Sequence, residues 1–265
     1  KGYPMASIQV AVNEWANAHD AEIVNAYTTP EAFGAKGNGI DDDTVAIESA
    51  LKSGKAVVFS GEKTYRITNS ISITDTDVHV IGNGATIVFD ALVSGNTYTV
   101  FNITNSNVYF TNLILDGNKG SNEGAKTNAL FLTSCVTILD GIIIKDFTKR
   151  CINVLEGRGQ FSSITMLNMY NSSGDTNSFV YTFDSDTEWT NIIVKNDEYD
   201  ETNTAQGFYH GGGNINITNI KAYNVTVVLD ARNGSAILTN GYFYKTRCFF
   251  AQTSDPYEGA DILIS

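Results

Sequence analysis

The chain has 265 residues, with 17 Lys and Arg against 29 Asp and Glu and a formal net charge of −12. Surfaces that bind nucleic acid draw affinity from clustered Lys and Arg that release counterions, so this balance excludes nucleic acid as an expected partner. Hydrophobic content of 42% is ample for a core, while charged content is only 17% and Asn, Thr, Gly and Ser are abundant, which suits strands and tight turns better than long helices.

No apolar run approaches the roughly 20 residues that span a bilayer, and the opening KGYPMAS has no signal-peptide core; a soluble chain without membrane insertion is expected. No linker interrupts the sequence, which predicts one long domain. The missing initiator Met and the abrupt ending DILIS predict further residues on one or both sides. Cys135, Cys151 and Cys248 are odd in number and widely spaced, so they supply neither a disulfide framework nor a metal site and are expected as small buried apolar residues.

Between Ser7 and Ala18, the residues Ile8, Ala11, Val12 and Trp15 fall on one face of a short amphipathic helix. After Pro30 comes FGAKGNGIDDDTVAIESAL, where glycines and an asparagine make a tight turn and Asp41, Asp42 and Asp43 stand at the start of a second helix. Carboxylates there complement unpaired N–H groups and the positive end of the helix dipole, so helix capping is the expected role, with metal binding as the alternative. Ala46, Ile47, Ala50 and Leu51 form that helix's apolar stripe. The run from Ala56 to Thr68 reads as two short strands around a turn.

These segments resemble the N-terminal signature of the pectate-lyase-like β-helix proteins, which include phage tail spikes and polysaccharide depolymerases. The match runs through Phe33, Gly34, Ala35, Lys36, Gly37, Gly39, Asp42, Asp43, Thr44, Ala46, Ile47, Val57, Phe59, Gly61, Thr64 and Tyr65. It departs at Asn38, where the family usually has Asp, and lacks the usual Pro before the glycine of the second turn. The resemblance implies an all-β fold, a single-stranded right-handed parallel β-helix of three-sided rungs with an N-terminal α-helical cap. It says little about chemistry.

From Val78 onward, β-rich runs recur at roughly 20 to 29 residues, the period of a solenoid. The cap and first strands therefore occupy residues 1–68 and the rungs residues 69–265. Asn112, Gly141, Ser163, Asn191, Asn219 and Asn240 form one column, with Gly259 as a seventh member. Two positions earlier stand Phe110, Leu139, Phe161, Trp189, Ile217, Leu238 and Tyr257; one position later stand Leu113, Ile142, Ile164, Ile192, Ile220, Gly241 and Ala260. Inward residues on both sides of Asn, Gly or Ser predict a sharp corner, because Asn and Gly tolerate the left-handed backbone. Stacked amides there can bond along the axis, which looks like the asparagine ladder of the same family. Trp189 is assigned to the core, not to a sugar platform.

The preceding strands align as Leu130–Thr133, Asn153–Glu156, Tyr181–Asp184, Tyr209–Gly212 and Leu229–Arg232. Alternation then sends the first and third residues of each inward, including Leu155, Phe183 and Gly211, and gathers Glu156, Asp184, His210, Asp230 and Arg232 on one outer face. Rungs about 4.8 Å apart would hold Glu156 and Asp184 near the ~5 Å separation of a retaining glycosidase pair. Glu156 and Asp184 are the expected catalytic carboxylates; His210, Asp230, Arg232 and Tyr209 are the expected substrate-binding residues. His210 in YHGGG loosely resembles the Gly-His-Gly of polygalacturonase-like glycosidases, whose paired aspartates and Arg-Ile-Lys segment have no counterpart here. Lys145, Lys149, Arg150 and Arg158 read as a solvated edge or a contact for an acidic sugar. The polar loops Asn171–Ser178 and Asn196–Gln206 would wall a groove. No cofactor is expected, although calcium could bind the second loop through Asp197, Glu198, Asp200 and Glu201, whose spacing departs from the EF-hand pattern.

The resemblance implies a module of a phage tail spike, on the virion tail or alternatively secreted, that binds and degrades a bacterial surface polysaccharide by glycoside hydrolysis. A homotrimer is implied by resemblance alone. Two rival readings remain open at this point: a non-catalytic glycan-binding or structural spike component, and a free bacterial polysaccharide lyase of pectate-lyase type.

Overall fold

The computed structural model describes residues 26–90, 96–118, 120–122, 125–169, 178–197, 206–246, 248–251 and 261–264. The amphipathic helix expected at Ser7–Ala18 lies outside them. The described chain winds into parallel strands forming one 16-stranded and one 8-stranded sheet.

Three walls result. The first holds Ala56–Val58, Val78–Ile81, Asn107–Thr111, Val136–Asp140 and Arg158–Ser162. The second holds Asn38–Asp42, Thr64–Ile67, Thr86–Phe89, Ile114–Asp116, Ile143–Lys145 and Thr165–Leu167. The long strands Ser185–Lys195, Gly213–Tyr223 and Ser235–Tyr244 pass through both, which joins the two walls into one sheet. The third wall is the smaller sheet, containing Thr97–Thr104, Lys126–Thr133, Arg150–Leu155, Ser178–Phe183, Gln206–His210 and Val227–Ala231. The strands Asn38–Asp42, Ala56–Val58 and Thr64–Ile67 already pair into the larger sheet.

The interior fills with aligned apolar side chains. Phe110, Leu139, Phe161, Trp189, Ile217 and Leu238 are all buried, as are Leu113, Ile142, Ile164, Ile192 and Ile220. Trp189 belongs to this core: its ring stacks on Phe161 at 3.9 Å and meets Phe208 edge-on at 5.2 Å. Each such side chain removed from water stabilises the fold by about 1.5–3 kcal/mol.

The expected corner is present. Asn112, Gly141, Ser163, Asn191, Asn219 and Asn240 have φ of 48°, 66°, 55°, 57°, 56° and 57°, all left-handed. At its C-terminal end the ladder forms: Asn219 donates its amide to Asn191 at 3.1 Å, and Asn240 donates to Asn219 at 2.6 Å. The seventh member is a correction. Leu238 pairs with Ile264, so the strand Asp261–Ile264 and not Tyr257–Ala260 continues that wall. The Tyr-Glu-Gly spacing mimicked the pattern seven residues too early; Gly259 itself lies outside the described residues.

At the N-terminal end the helix Thr44–Leu51 buries Ala46, Ile47, Ala50 and Leu51, the expected stripe. The aspartates before it act locally in a more specific way than helix capping alone. Asp43 occupies the cap position but sends its carboxylate back to the N–H groups of Lys36 and Gly37, at 2.6 and 3.0 Å, closing the FGAKG loop. Asp42 accepts from the Thr44 N–H at 3.0 Å and from the Thr68 hydroxyl at 2.7 Å, and Asp41 accepts from the Asn38 amide. Tyr65 of the same signature donates to Glu31 at 2.6 Å. Burial, reinforced by that carboxylate, pushes the Tyr65 hydroxyl up to about 12. Cys135 and Cys151 are free thiols in the interior, and burial raises both.

Candidate functional site on the third wall

The third wall places its outward side chains in columns fixed by strand register. Asn153 pairs with Tyr181, Tyr181 with Tyr209, and Tyr209 with Asp230. The expected alignment therefore holds across the Asn153, Tyr181 and Tyr209 rungs and is off by one beyond them, since Phe131 pairs with Asn153 and Ala231 with His210.

The facing holds at Leu132 and Ala231, both buried as expected, and is corrected on the rungs between them: Val154, Thr182 and His210 point inward and are buried, while Leu155 and Phe183 point outward, Phe183 being 40% exposed. His210, expected on the outer face, is turned into the core at 0% exposure. Its Nε2 donates to the Gly213 carbonyl at 3.2 Å, a group that can only accept, which leaves Nδ1 to accept the Thr182 hydroxyl proton at 2.8 Å. Burial lowers its pKa from 6.5, so the ring stays neutral. Two polar residues inside, each satisfied by the other, and large rings outside invert the hydrophobic alternation that strand reasoning relies on.

Outside, Tyr181 and Tyr209 stack with centroids 4.8 Å apart and planes within 4°. A cation caps each end. The Arg150 guanidinium lies 4.0 Å over the Tyr181 ring, and that of Arg232 lies 5.0 Å from the Tyr209 ring. Both arginines are held in place. Arg150 donates to Asn153 at 3.0 Å, and Arg232 forks onto Asp230 at 3.0 and 3.3 Å. Asp230 is only 2% exposed, so its charge depends on that fork. The hydrogen bond that Arg232 donates to Asp230 raises its pKa, and burial raises Tyr209 against the opposing pull of Arg232. Stacking of this kind contributes about 0.5–1.5 kcal/mol per aromatic pair and about 0.5–1 kcal/mol per exposed cation over a ring. Tyr209, Asp230 and Arg232 therefore come together as expected. Tyr181, Arg150 and Phe183 join them, and alternation had hidden the two rings by sending them inward. Phe183 lies across Gly211, where a Cβ would sit 2.6 Å from the ring.

Glu156 and Asp184 end their strands at the corner between the third wall and the first. Their φ values are 52° and 46°, in a column with Asp75, Asn105 and Ser134 at 53°, 52° and 53°. Both are exposed, and the Glu156 N–H donates to the Phe183 carbonyl at 2.9 Å, which fixes the two rungs as neighbours. Asp184 leans along the axis over Gly212, so closely that a Cβ on Gly212 would strike its Oδ1. Among the described residues neither carboxylate makes a hydrogen bond or ion pair. Glutamate has little affinity for left-handed backbone, unlike Asn or Asp, and strained residues cluster at functional sites.

The other candidates disperse. Lys145 sits on the second wall in an ion pair with Asp116 at 2.6 Å, Arg150 on the third wall and Arg158 on the first, so they form no single basic patch. Of that loop's four acidic residues only Asp197 is described, 3.9 Å from Lys195, and most of both expected groove loops lies outside the described residues. Among the described residues no group of three or more His, Cys, Asp or Glu converges as metal ligands do.

No protein-family model matches the chain. A 47-residue stretch is 51% identical to the capsule K30/K69-specific depolymerase of Klebsiella phage K64-1, covering 17% of this chain and 6% of that protein. Among solved structures, the chain superposes on the pre-mature bacteriophage phi29 gene product 12 with a TM-score of 0.66 at 16% identity, covering 85% of this chain and 34% of that one. It superposes on a mutant tailspike protein of E. coli bacteriophage HK620, in complex with a hexasaccharide, with a TM-score of 0.64 at 9% identity, covering 92% and 51%. The chain thus spans 6% of the depolymerase and about half or less of the two structures. At these identities the likeness is one of fold.

Proposed function

We propose that this pectate-lyase-like parallel β-helix is a phage tailspike-type module that attaches to a bacterial surface polysaccharide and cleaves it by glycoside hydrolysis. The observation that carries the reading is the pair Glu156 and Asp184: exposed, in left-handed corner positions, on neighbouring rungs and uncommitted among the described residues. A rung spacing of about 4.8 Å suits the ~5–5.5 Å between the carboxyl groups of retaining glycosidases. One carboxyl would attack the anomeric carbon and the other would protonate the leaving oxygen, then activate water. Tyr209, Asp230 and Arg232, with Tyr181 and Phe183, would hold the sugar beside them. His210 would act from inside, tying its own strand, which carries Tyr209, to the neighbouring strand of Thr182. The similarity to a capsule depolymerase and to a glycan-bound tailspike supports a polysaccharide as substrate and a virion-tail location. Assembly as a homotrimer, with the N-terminal segment capping the solenoid, belongs to the same proposal.

The test is release of new reducing ends from capsular, O-antigen and teichoic acid preparations. Glu156→Gln and Asp184→Asn should each abolish release by the wild-type protein's best substrate; unchanged release from either variant removes the assignment. One observation favours a second reading, binding without cleavage: Asp75, Asn105 and Ser134 adopt the same corner conformation on rungs that lack the pair, so the conformation alone does not require catalysis. Binding with no release over long incubation would support that reading.

A further inference from the structure

The outer face of the first wall is concave. Its outward columns form two hollows of about 530 and 460 Å³ that share Val136 and Ile138, so they make one trough along the solenoid axis. Strand register puts His79, Tyr109, Ile138, Gln160, Glu188 and Asn216 in one line, each paired with the next. Five steps of about 4.8 Å give a length of about 24 Å.

We infer that this trough binds an extended, uncharged polysaccharide, built of hexose or N-acetylhexosamine units, lying parallel to the axis. Its floor is apolar where a sugar's C–H face would rest: Val136 is 52% exposed, Ile138 41% and Tyr109 39%, and Tyr109 is braced edge-on by His79 at 4.7 Å. Its rim is polar and pre-arranged. Asn214 donates to Asp186 at 2.7 Å, Gln160 to Glu188 at 3.3 Å and Asn107 to Asp77 at 2.9 Å. Each pair leaves carboxylate lone pairs for sugar hydroxyls. Three carboxylates, Asp77, Asp186 and Glu188, outnumber the two cations Lys55 and Arg158 along the trough, so a uronate polymer would meet net repulsion. Arg158 and Asp186 lie two residues beyond Glu156 and Asp184, which puts the proposed cleavage corner on the trough's edge. The binding claim stands on the trough alone; only the link to cleavage rests on the corner.

The experiment measures retention of the protein on immobilised neutral O-antigen and capsular polysaccharides, with polygalacturonate and alginate in parallel. Wild-type protein should favour a neutral polymer, and Ile138→Asp and Arg158→Ala should each weaken retention by about tenfold or more at an unchanged thermal midpoint, the loss of a single good contact. Preference for the uronate polymers, retention of nothing, or unaltered retention by Ile138→Asp would overturn the inference. So would a change in assembly mass in that variant, which would make the trough a contact between copies. New reducing ends are scored separately: retention without release leaves the trough standing and removes the hydrolysis reading.

Discussion

The two described corners that flank the first wall turn the chain with the same left-handed backbone, yet they spend their side chains differently. At the Asn112–Asn240 corner the last three amides bond to one another along the axis, so the polar groups are consumed in holding rung to rung. At the Glu156–Asp184 corner the carboxylates stand exposed and unbonded among the described residues, beside a wall of rings and guanidinium groups. A corner residue whose bonds are all internal is architectural. One that keeps charge and lone pairs facing solvent, at some conformational cost, is available for a ligand.

Exchanging each corner for glycine sharpens that contrast most. Glu156→Gly should lower cleavage by about 10²–10⁴-fold, the usual worth of an acid–base group, while leaving the fold as stable or more stable, since relief of a left-handed non-glycine residue is worth about 1 kcal/mol. Denaturant unfolding beside an activity assay reads both, and a destabilised Glu156→Gly protein would erase the distinction. Arg232→Met is next: it strands the buried Asp230 charge and should destabilise by about 1–3 kcal/mol, with loss of sugar retention in proportion. A pH series comes third. Burial lowers the folded pKa of His210 below 6.5, so the unfolded chain binds the proton more readily. Its contribution is complete above about 6.5 and is lost as pH falls from there toward the lowered value. The thermal midpoint should drop over that window and drop less in His210→Gln. Smallest is Asn219→Gly, which keeps the backbone and removes two exposed ladder bonds; a loss of about 0.5 kcal/mol is expected, and none would mean that the ladder is incidental.

The Asn corner was legible because its neighbours are apolar on every rung from Phe110 to Leu238, so a single pattern repeats without exception. The third wall was not. Thr182 and His210 satisfy each other in the interior, and Tyr181 and Tyr209 ride outside on arginines and on each other, with Phe183 exposed beside them. Both departures are pairwise between rungs 27 or 28 residues apart, and alternation along one strand carries no trace of a partner on the next. The buried fork of Arg232 on Asp230 could have been suspected, since the two stand at i and i+2 on one strand, but not its contact with Tyr209.

From residue order alone came the parallel solenoid, the first corner and the apolar columns, because each depends on a local rule repeated many times. Which way the third wall faces, that Glu156 and Asp184 are turn residues and not strand residues, and that the first wall carries a continuous trough were decided only in three dimensions. There, contacts between successive coils outweigh the preferences of any one of them, and a satisfied polar pair can occupy the place that hydrophobicity would assign to a ring.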